Sequence, residues 1–390
     1  MQNASKNMRT EIKCSLVAFQ FMKPSLLNAS LISLFSIIAL AADAPVTNPI
    51  PATPAPTTKG EWVPVLEGTG GVVADRAGGE VFAVVTGKEI FKEKGQGVWK
   101  STDAGATFAR VDGGVISGRC ETGYGLCADP AGRRLYGFML DGASGFTLDG
   151  GQTWEKLTQM HRGWDCAAVD WSVERPQTLF AVEHESGGKQ FVSTDGGKSW
   201  TKVGEAPKDQ PKFTFGVGVV NAKTLLRWTA SAACIERSTD TGATWAKVSD
   251  ELPTGHVMVV LKDTCYWVGA KGLLVSHDQG ATWAWQGSVP TDVIPFPSVK
   301  TATPESLRAS AAPTAWGPYF GKDEKHIVVA SKDGIVETTD AGAHWAFVAP
   351  LPEPYRRPPG NGWYLNLAFD PIHNTLYTSW MGKPVYRWQR

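Results

Sequence analysis

The chain has 390 residues, 42% of them hydrophobic and 19% charged, which is enough for one large domain or two small ones. Lys plus Arg and Asp plus Glu number 38 each, so no net field draws the chain to nucleic acid or to an anionic membrane. The 42 glycines, 25 prolines and 16 tryptophans suit many short strands joined by tight turns.

Residues 1–41 read as an export signal. Met22 and Lys23 precede Leu26, Leu27 and an apolar run over 31–40, and Ala39-Leu40-Ala41 offers a small-x-small cleavage site. Met22 is the candidate start, because 1–21 make a poor leader. The apolar run is shorter than a spanning helix needs. No stable membrane span is therefore expected after cleavage, and the mature chain is expected to be secreted or periplasmic. Residues 42–60, rich in Pro, Thr and Ala, read as an extended linker, which leaves 61–390 as the folded domain. Five cysteines follow the signal. Cys120 with Cys127 and Cys234 with Cys265 are candidate pairs, but an odd number leaves the connectivity open. No CxxC or His cluster has zinc spacing, so neither metal nor other cofactor is expected.

The folded part is organised by a repeat. The octamer STDGGKSW over 193–200 has near-copies that begin at residues 101, 147, 238, 276 and 338. All six share a hydroxyl residue, an Asp two positions on, a Gly two positions after that, and an aromatic at the eighth place. The six Asp residues are Asp103, Asp149, Asp195, Asp240, Asp278 and Asp340. Between the boxes a second pattern returns, in which Asp129-Pro130, Asp170-Trp171 and Asp370-Pro371 each precede an apolar-aromatic run. Each unit reads as four short strands, with the box as the turn between the third and the fourth.

Four-stranded units that recur every ~40–50 residues have the period of a propeller blade. After the last box come three further strands, over 363–370, 374–380 and 384–388, and no fourth. The segment 61–66 resembles the strands that follow the boxes and is expected to complete that last unit, closing the ring and removing its open edges. The expectation is an all-β protein: one seven-bladed propeller of four-stranded blades with six box turns. In each box the Asp is expected to accept backbone N–H bonds from the residues ahead of it, the Gly to take a conformation closed to other residues, and the aromatic ring to pack against the blade.

These boxes resemble the Asp-box (BNR) repeats of the sialidase, sortilin and xyloglucanase group. The tandem of Asp-Pro turns, Thr-Leu-Tyr strands and boxes looks most like photosystem II stability factors and their bacterial secreted relatives. The resemblance covers about 61–390. It implies the fold strongly and the function weakly, since such boxes occur in enzymes, receptors and assembly factors.

A ligand site is expected on the face opposite the boxes, where loops join second to third strands and one blade to the next. Three clusters there stand out. His161, Arg162, Trp164 and Asp165 bring a base, a cation, an aromatic and a carboxylate to one blade entrance. Glu183, His184 and Glu185 follow, with both carboxylates on one side if strand alternation holds. Tyr355, Arg356 and Arg357, near Asn361, Trp363 and Tyr364, suit an anion or a stacked sugar. The insertion over 289–318 is either a lid or a tolerated excursion.

A sialidase-like reading places Arg119, Arg162 and Arg356 or Arg357 on a substrate carboxylate, with Tyr355 nearby, and needs a Tyr paired with a Glu as nucleophile. The Arg-Ile/Leu-Pro motif of sialidases is absent. A xyloglucanase-like reading pairs Asp165 with Glu183 or Glu185, about 5–9.5 Å apart, but those enzymes resemble two propellers around one cleft. The resemblance and the loop composition favour a monomeric exported module that recognises a glycan or a protein partner, without catalysis. Glycoside hydrolysis at the propeller mouth is the alternative.

Overall fold

The computed structural model describes residues 60–87, 96–120, 125–158, 160, 162–205, 215–229, 234–251, 253, 257–269, 272–286, 315–331, 334–355 and 365–390. The expected signal segment and linker lie outside these residues. The described elements are twenty-seven β-strands and one 3-10 turn, Glu353–Tyr355. No helix among them is long and apolar enough to cross a membrane.

In chain order the strands begin with β1 (Trp62–Ala74), β2 (Val81–Val85), β3 (Gly97–Ser101) and β4 (Ala109–Arg110). Five four-stranded antiparallel blades follow. They are β5 (Leu126–Ala128), β6 (Leu135–Gly137), β7 (Gly145–Thr147) and β8 (Glu155–Lys156); β9 (Trp164–Val169), β10 (Leu179–Glu183), β11 (Gln190–Ser193) and β12 (Thr201–Gly204); β13 (Phe215–Val219), β14 (Leu225–Thr229), β15 (Cys234–Ser238) and β16 (Ala246–Ser249); β17 (Val259–Leu261), β18 (Thr264–Gly269), β19 (Gly272–Ser276) and β20 (Ala284–Gln286); and β21 (Ala315–Phe320), β22 (Ile327–Ser331), β23 (Gly334–Thr338) and β24 (Ala346–Ala349). The chain closes with β25 (Leu365–Asp370), β26 (Thr375–Trp380) and β27 (Lys383–Gln389).

The expected set of seven four-stranded blades is corrected here. The propeller arrangement holds five four-stranded blades, and the remaining strands form a single seven-stranded sheet in the order β25-β26-β27-β1-β2-β3-β4. The cause is β1, which runs unbroken for 13 residues. Its first part pairs with β27 (Trp62 opposite Trp388, Thr69 opposite Lys383) and its second with β2 (Val72 opposite Ala83). The register shifts between Pro64 and Leu66, Leu66 and Thr69, and Thr69 and Gly71. Such irregularities bend a strand without ending it, and they let the sheet fold at β1. Val72, Ala83 and Trp99 from one half then pack against Ala368, Tyr377 and Val385 from the other.

The core is a set of interfaces between successive sheets rather than a single centre. Tyr136, Phe138 and Phe146 meet Trp164, Leu179 and Phe191 across one of them. Tyr266, Val268 and Val275 meet Phe320, Ile327 and Val329 across another. The strands read as nearly continuous apolar runs because both of their faces are covered. Cys234 and Cys265 are separate buried thiols rather than a pair, and burial pushes the Cys265 thiol up to about 12.

Candidate functional site: the loop face and the box turns

Each box is a closed hydrogen-bonded turn. In the box of β11–β12, Ser193 Oγ donates to Asp195 Oδ1 at 2.8 Å and accepts the Gly197 N–H at 2.8 Å. Asp195 Oδ1 also accepts the N–H groups of Lys198 (3.0 Å) and Ser199 (2.9 Å), and Oδ2 accepts the Ser199 hydroxyl at 2.6 Å. The same hydroxyl–carboxylate contact is 2.6 Å in the boxes of Asp103, Asp149, Asp240 and Asp278. The fourth and fifth box residues both lie in the left-handed region, as Thr241 (φ 64°) and Gly242 (φ 87°) show. The fourth residue turns its N–H onto the neighbouring first-to-second-strand turn, Gly196 onto the Gln177 carbonyl and Thr241 onto the Lys223 carbonyl. Only the fifth must be Gly. A Cβ on Gly197 would lie 2.4 Å from Leu157, and one on Gly280 would lie 2.5 Å from Leu226. The Asp carboxylate and the first hydroxyl of each box bond within the turn itself.

The opposite face carries the other candidate residues. The ladder between β9 and β10 runs in register to Cys166 opposite Val182 and then shifts, so that Trp164 stands opposite Glu183 and Asp165 is the extra residue. A bulge of this kind re-aims its unpaired side chain. Beyond it, His184 N donates to Gly163 O at 3.0 Å, which holds the turn after β10 against the entry to β9. The two effects bring His184 Nδ1 within 2.5 Å of Asp165 Oδ1. Both side chains are largely covered, His184 at 12% and Asp165 at 23% exposed. Burial pushes the Asp165 carboxyl above the usual carboxylate range, against the His184 hydrogen bond and charge, which draw it down.

Around this pair the charges are matched. Arg162 Nη1 donates to Glu185 Oε2 at 2.7 Å, with both side chains more than half exposed. The second imidazole nitrogen of His184 is 3.9 Å from Glu185 Oε1. From the preceding blade, Arg119 Nε donates to Asp141 Oδ2 at 2.9 Å, and its charge also acts on Asp165.

Several sequence expectations change here. Glu183 and Glu185 do not share a side with His184 opposite: Glu183 is the last, buried residue of β10, and Glu185 sits in the turn with φ 48°. Strand alternation ends one residue too early for that argument. Trp164 is 1% exposed and packs on Trp200 at 4.3 Å, so it offers no face to a ligand. Tyr355 is equally buried, gives its hydroxyl to Pro384 O and packs on Trp380 and Tyr386. Burial holds its phenol far above the ordinary range, so it is no surface nucleophile. His161, Arg356, Arg357 and Trp363, with most of 289–318, lie outside the described residues. Among the described residues no group of three His, Cys, Asp or Glu is placed to hold a metal ion. What sequence reasoning missed is the pairing of His184 with Asp165, because alternation set His184 on the opposite side. Its signal was the Ser186-Gly187-Gly188 run that follows, which starts a turn and breaks the strand period.

Residues 191–202, which contain the box 193–200, match the family described as BNR/Asp-box repeat. The chain carries Asp-box repeats. Among solved structures it is similar to the GH74 enzyme of Niastella koreensis, at 15% identity over 82% of this chain and 65% of that one, with a TM-score of 0.31. It thus spans less than two thirds of that enzyme's length. It is also similar to YCF48 bound to D1 peptide (15% identity, 69% of this chain, 93% of that chain, TM-score 0.33). A third similar structure is YCF48 from Cyanidioschyzon merolae (12% identity, 85% of this chain, 99% of that chain, TM-score 0.45). No curated protein matches the chain. Identities this low assign no activity.

One Asp-box departs from the rest. Where the others place Thr or Ser, the sixth has His344, whose Nδ1 lies 2.6 Å from Asp340 Oδ2 while its N–H reaches Oδ1 at 2.8 Å. Those two bonds, with the Thr338 hydroxyl, hold the Asp340 carboxyl down to about 2.

Proposed function

We propose that this Asp-box protein is an exported, monomeric recognition module that binds a glycan or a protein partner through the loop face opposite the boxes. One observation carries the reading: three charge pairs stand on that face, Asp165 with His184, Arg162 with Glu185 and Arg119 with Asp141. Half-exposed pairs such as Arg162–Glu185 are worth little on their own, so a partner that presents complementary charge can replace one member at small cost and gain specificity. The export part rests on the apolar segment over 31–40 and its cleavage site. The balanced net charge speaks for a partner other than nucleic acid.

A second reading keeps glycoside hydrolysis, because the raised Asp165 carboxyl has the character of a buried acid. The deciding experiment is a glycan and peptide array on residues 61–390, run beside a panel of fluorogenic glycosides. Binding that weakens at least tenfold in Arg162→Glu and returns in Arg162→Glu/Glu185→Arg supports recognition. Turnover that vanishes in Asp165→Asn replaces it with hydrolysis, and absence of both sinks the reading.

A further inference from the structure

On the loop face Glu185 stands between two nitrogen groups of different chemistry. Its Oε2 accepts Arg162 Nη1 at 2.7 Å, and its Oε1 lies 3.9 Å from His184 Nε2. The backbone beneath it is held. Glu185 sits at φ 48° in a turn that Ser186 closes, donating its hydroxyl to Glu183 O at 2.8 Å and accepting the Lys189 N–H at 3.1 Å. The Glu185 side chain itself is 57% exposed, so it can swing from Arg162 toward His184 while the turn stays in place.

What Nε2 offers depends on the contact at the other ring nitrogen. With one proton on the Asp165–His184 pair, the contact between Nδ1 and Oδ1 uses that proton, and Nε2 carries none. A second proton leaves an N–H at Nε2 in either arrangement, whether the bridging proton stays on Nδ1 or passes to the carboxyl, because the pair titrates as a unit. Nε2 then changes from an acceptor that repels Glu185 Oε1 into a donor that attracts it. The charge changes with it. Among the described residues, Asp141, Asp165 and Glu185 stand with Arg119 and Arg162, while Glu183 and Lys189 flank the turn with one formal charge of each sign. Burial keeps the Cys166 thiol neutral. The cluster therefore carries one net negative charge before the second proton and none after it.

We infer that this cluster is a proton-gated anion site, in which a second proton on the Asp165–His184 pair draws Glu185 onto His184 Nε2 and leaves Arg162 to an anionic group of the partner. The inference rests on the loop-face reading above and adds when that face binds. Parting from Glu185 costs Arg162 little, because the pair is half exposed. The arriving anion takes the place of the departed carboxylate and meets a cluster that no longer repels it. An unperturbed imidazole takes up its proton at about 6.5. The two carboxylates favour uptake and burial opposes it, so the gate opens as the surroundings turn from neutral to mildly acid.

Sulfate is the probe, because it stays a dianion throughout and brings no proton of its own. The protein is followed by nitrogen and carbon NMR from pH 8 to pH 5.5. Without sulfate, one step is expected, seen together at His184 Nε2, the Glu185 carboxyl carbon and the Arg162 guanidinium. With sulfate, the Arg162 signals are expected to saturate with a Kd about threefold lower or more at pH 5.5 than at pH 8, the scale of one unit charge nearby. His184→Gln is expected to abolish the step at Arg162 and the difference in Kd. Glu185→Gln is expected to keep the His184 step, lose the step at Arg162 and bind sulfate more tightly than the native protein at pH 8. If His184→Gln fails to fold, Glu185→Gln still decides. An Arg162 guanidinium that does not follow the His184 step, or a sulfate affinity equally pH-dependent in His184→Gln, overturns the inference. The proton step is read in the protein alone, so its failure is distinct from silence on the arrays, which sinks the loop-face reading instead.

Discussion

His184 Nδ1 and Asp165 Oδ1 stand 2.5 Å apart across the mouths of β9 and β10, although 19 residues separate them in the chain. The contact sets two opposing influences on one carboxyl. Burial favours the neutral acid, while the imidazole favours the carboxylate, and burial is the larger. His184→Leu removes the second influence and keeps the site covered. The Asp165 carboxyl, followed by carboxyl-carbon NMR, is therefore expected to titrate at higher pH in the variant than in the native protein. A downward movement would show that His184 excludes water more than it supplies a hydrogen bond.

That contact was only half legible in the sequence. Asp165 and Glu185 were recognisable as loop-face charges, but the bulge at Asp165 and the early end of β10 at Glu183 depend on pairing between strands. Alternation over Glu183, His184 and Glu185 pointed the wrong way for that reason. The Asp-boxes were legible because their chemistry is local: the side chain of Asp195 bonds to atoms no more than four residues away. The merged sheet was not. The glycines at 68, 70 and 71 look like a break between units, yet β1 passes through them as a bulged, continuous strand. Tyr355 misled for another reason, since an aromatic next to two arginines reads as a binding surface until its ring is seen against Trp380 and Tyr386.

The Asp-box glycines separate conformation from space. Gly196 and Gly197 both have positive φ, 74° and 85°. A Cβ on Gly196 would meet its nearest neighbour at 3.4 Å, the Pro176 carbonyl oxygen, while one on Gly197 would meet Leu157 at 2.4 Å. Gly196→Ala is expected to cost about 1 kcal/mol, the usual penalty for a left-handed Ala. Gly197→Ala adds displacement of Leu157 and is expected to cost about 2–4 kcal/mol. Urea denaturation of the two variants checks the order, and equal costs would refute the packing role of the fifth position.

The sixth box tests whether histidine is an adequate substitute for the usual hydroxyl. His344 Nδ1 occupies the place of Thr244 or Thr282, at the same 2.6 Å from the box carboxylate. His344→Thr is therefore expected to leave Tm nearly unchanged near pH 8, while Asp340→Ala lowers it clearly by releasing three donors at once. The same deletion in a regular box, Asp195→Ala, is expected to cost about 1–2 kcal/mol, as for a shared set of exposed hydrogen bonds. A large loss of Tm in His344→Thr would mean that His344 serves something besides its turn.

Acid should find these turns together with one side-chain junction. Hydrogen bonds from the following residues hold Asp195 and Asp240 at about 2. Glu337 is also held at about 2, where His326 at 3.1 Å and the Arg390 guanidinium overcome its burial. Free Asp and Glu titrate near 3.9 and 4.3. Each group therefore adds stability in full above those values, and loses it as pH falls toward about 2. The urea midpoint is expected to be flat in this respect from pH 7 to 5 and to fall steeply between about 4 and 2. Glu337→Gln cannot ionise, so it should begin less stable at pH 7, by about 1–3 kcal/mol for a charge-assisted pair of bonds, and lose less across the acid range. If its acid limb is as steep as that of the native protein, Glu337 contributes nothing to the fall, and the junction of His326, Glu337 and Arg390 does not fasten β23 to the end of β27.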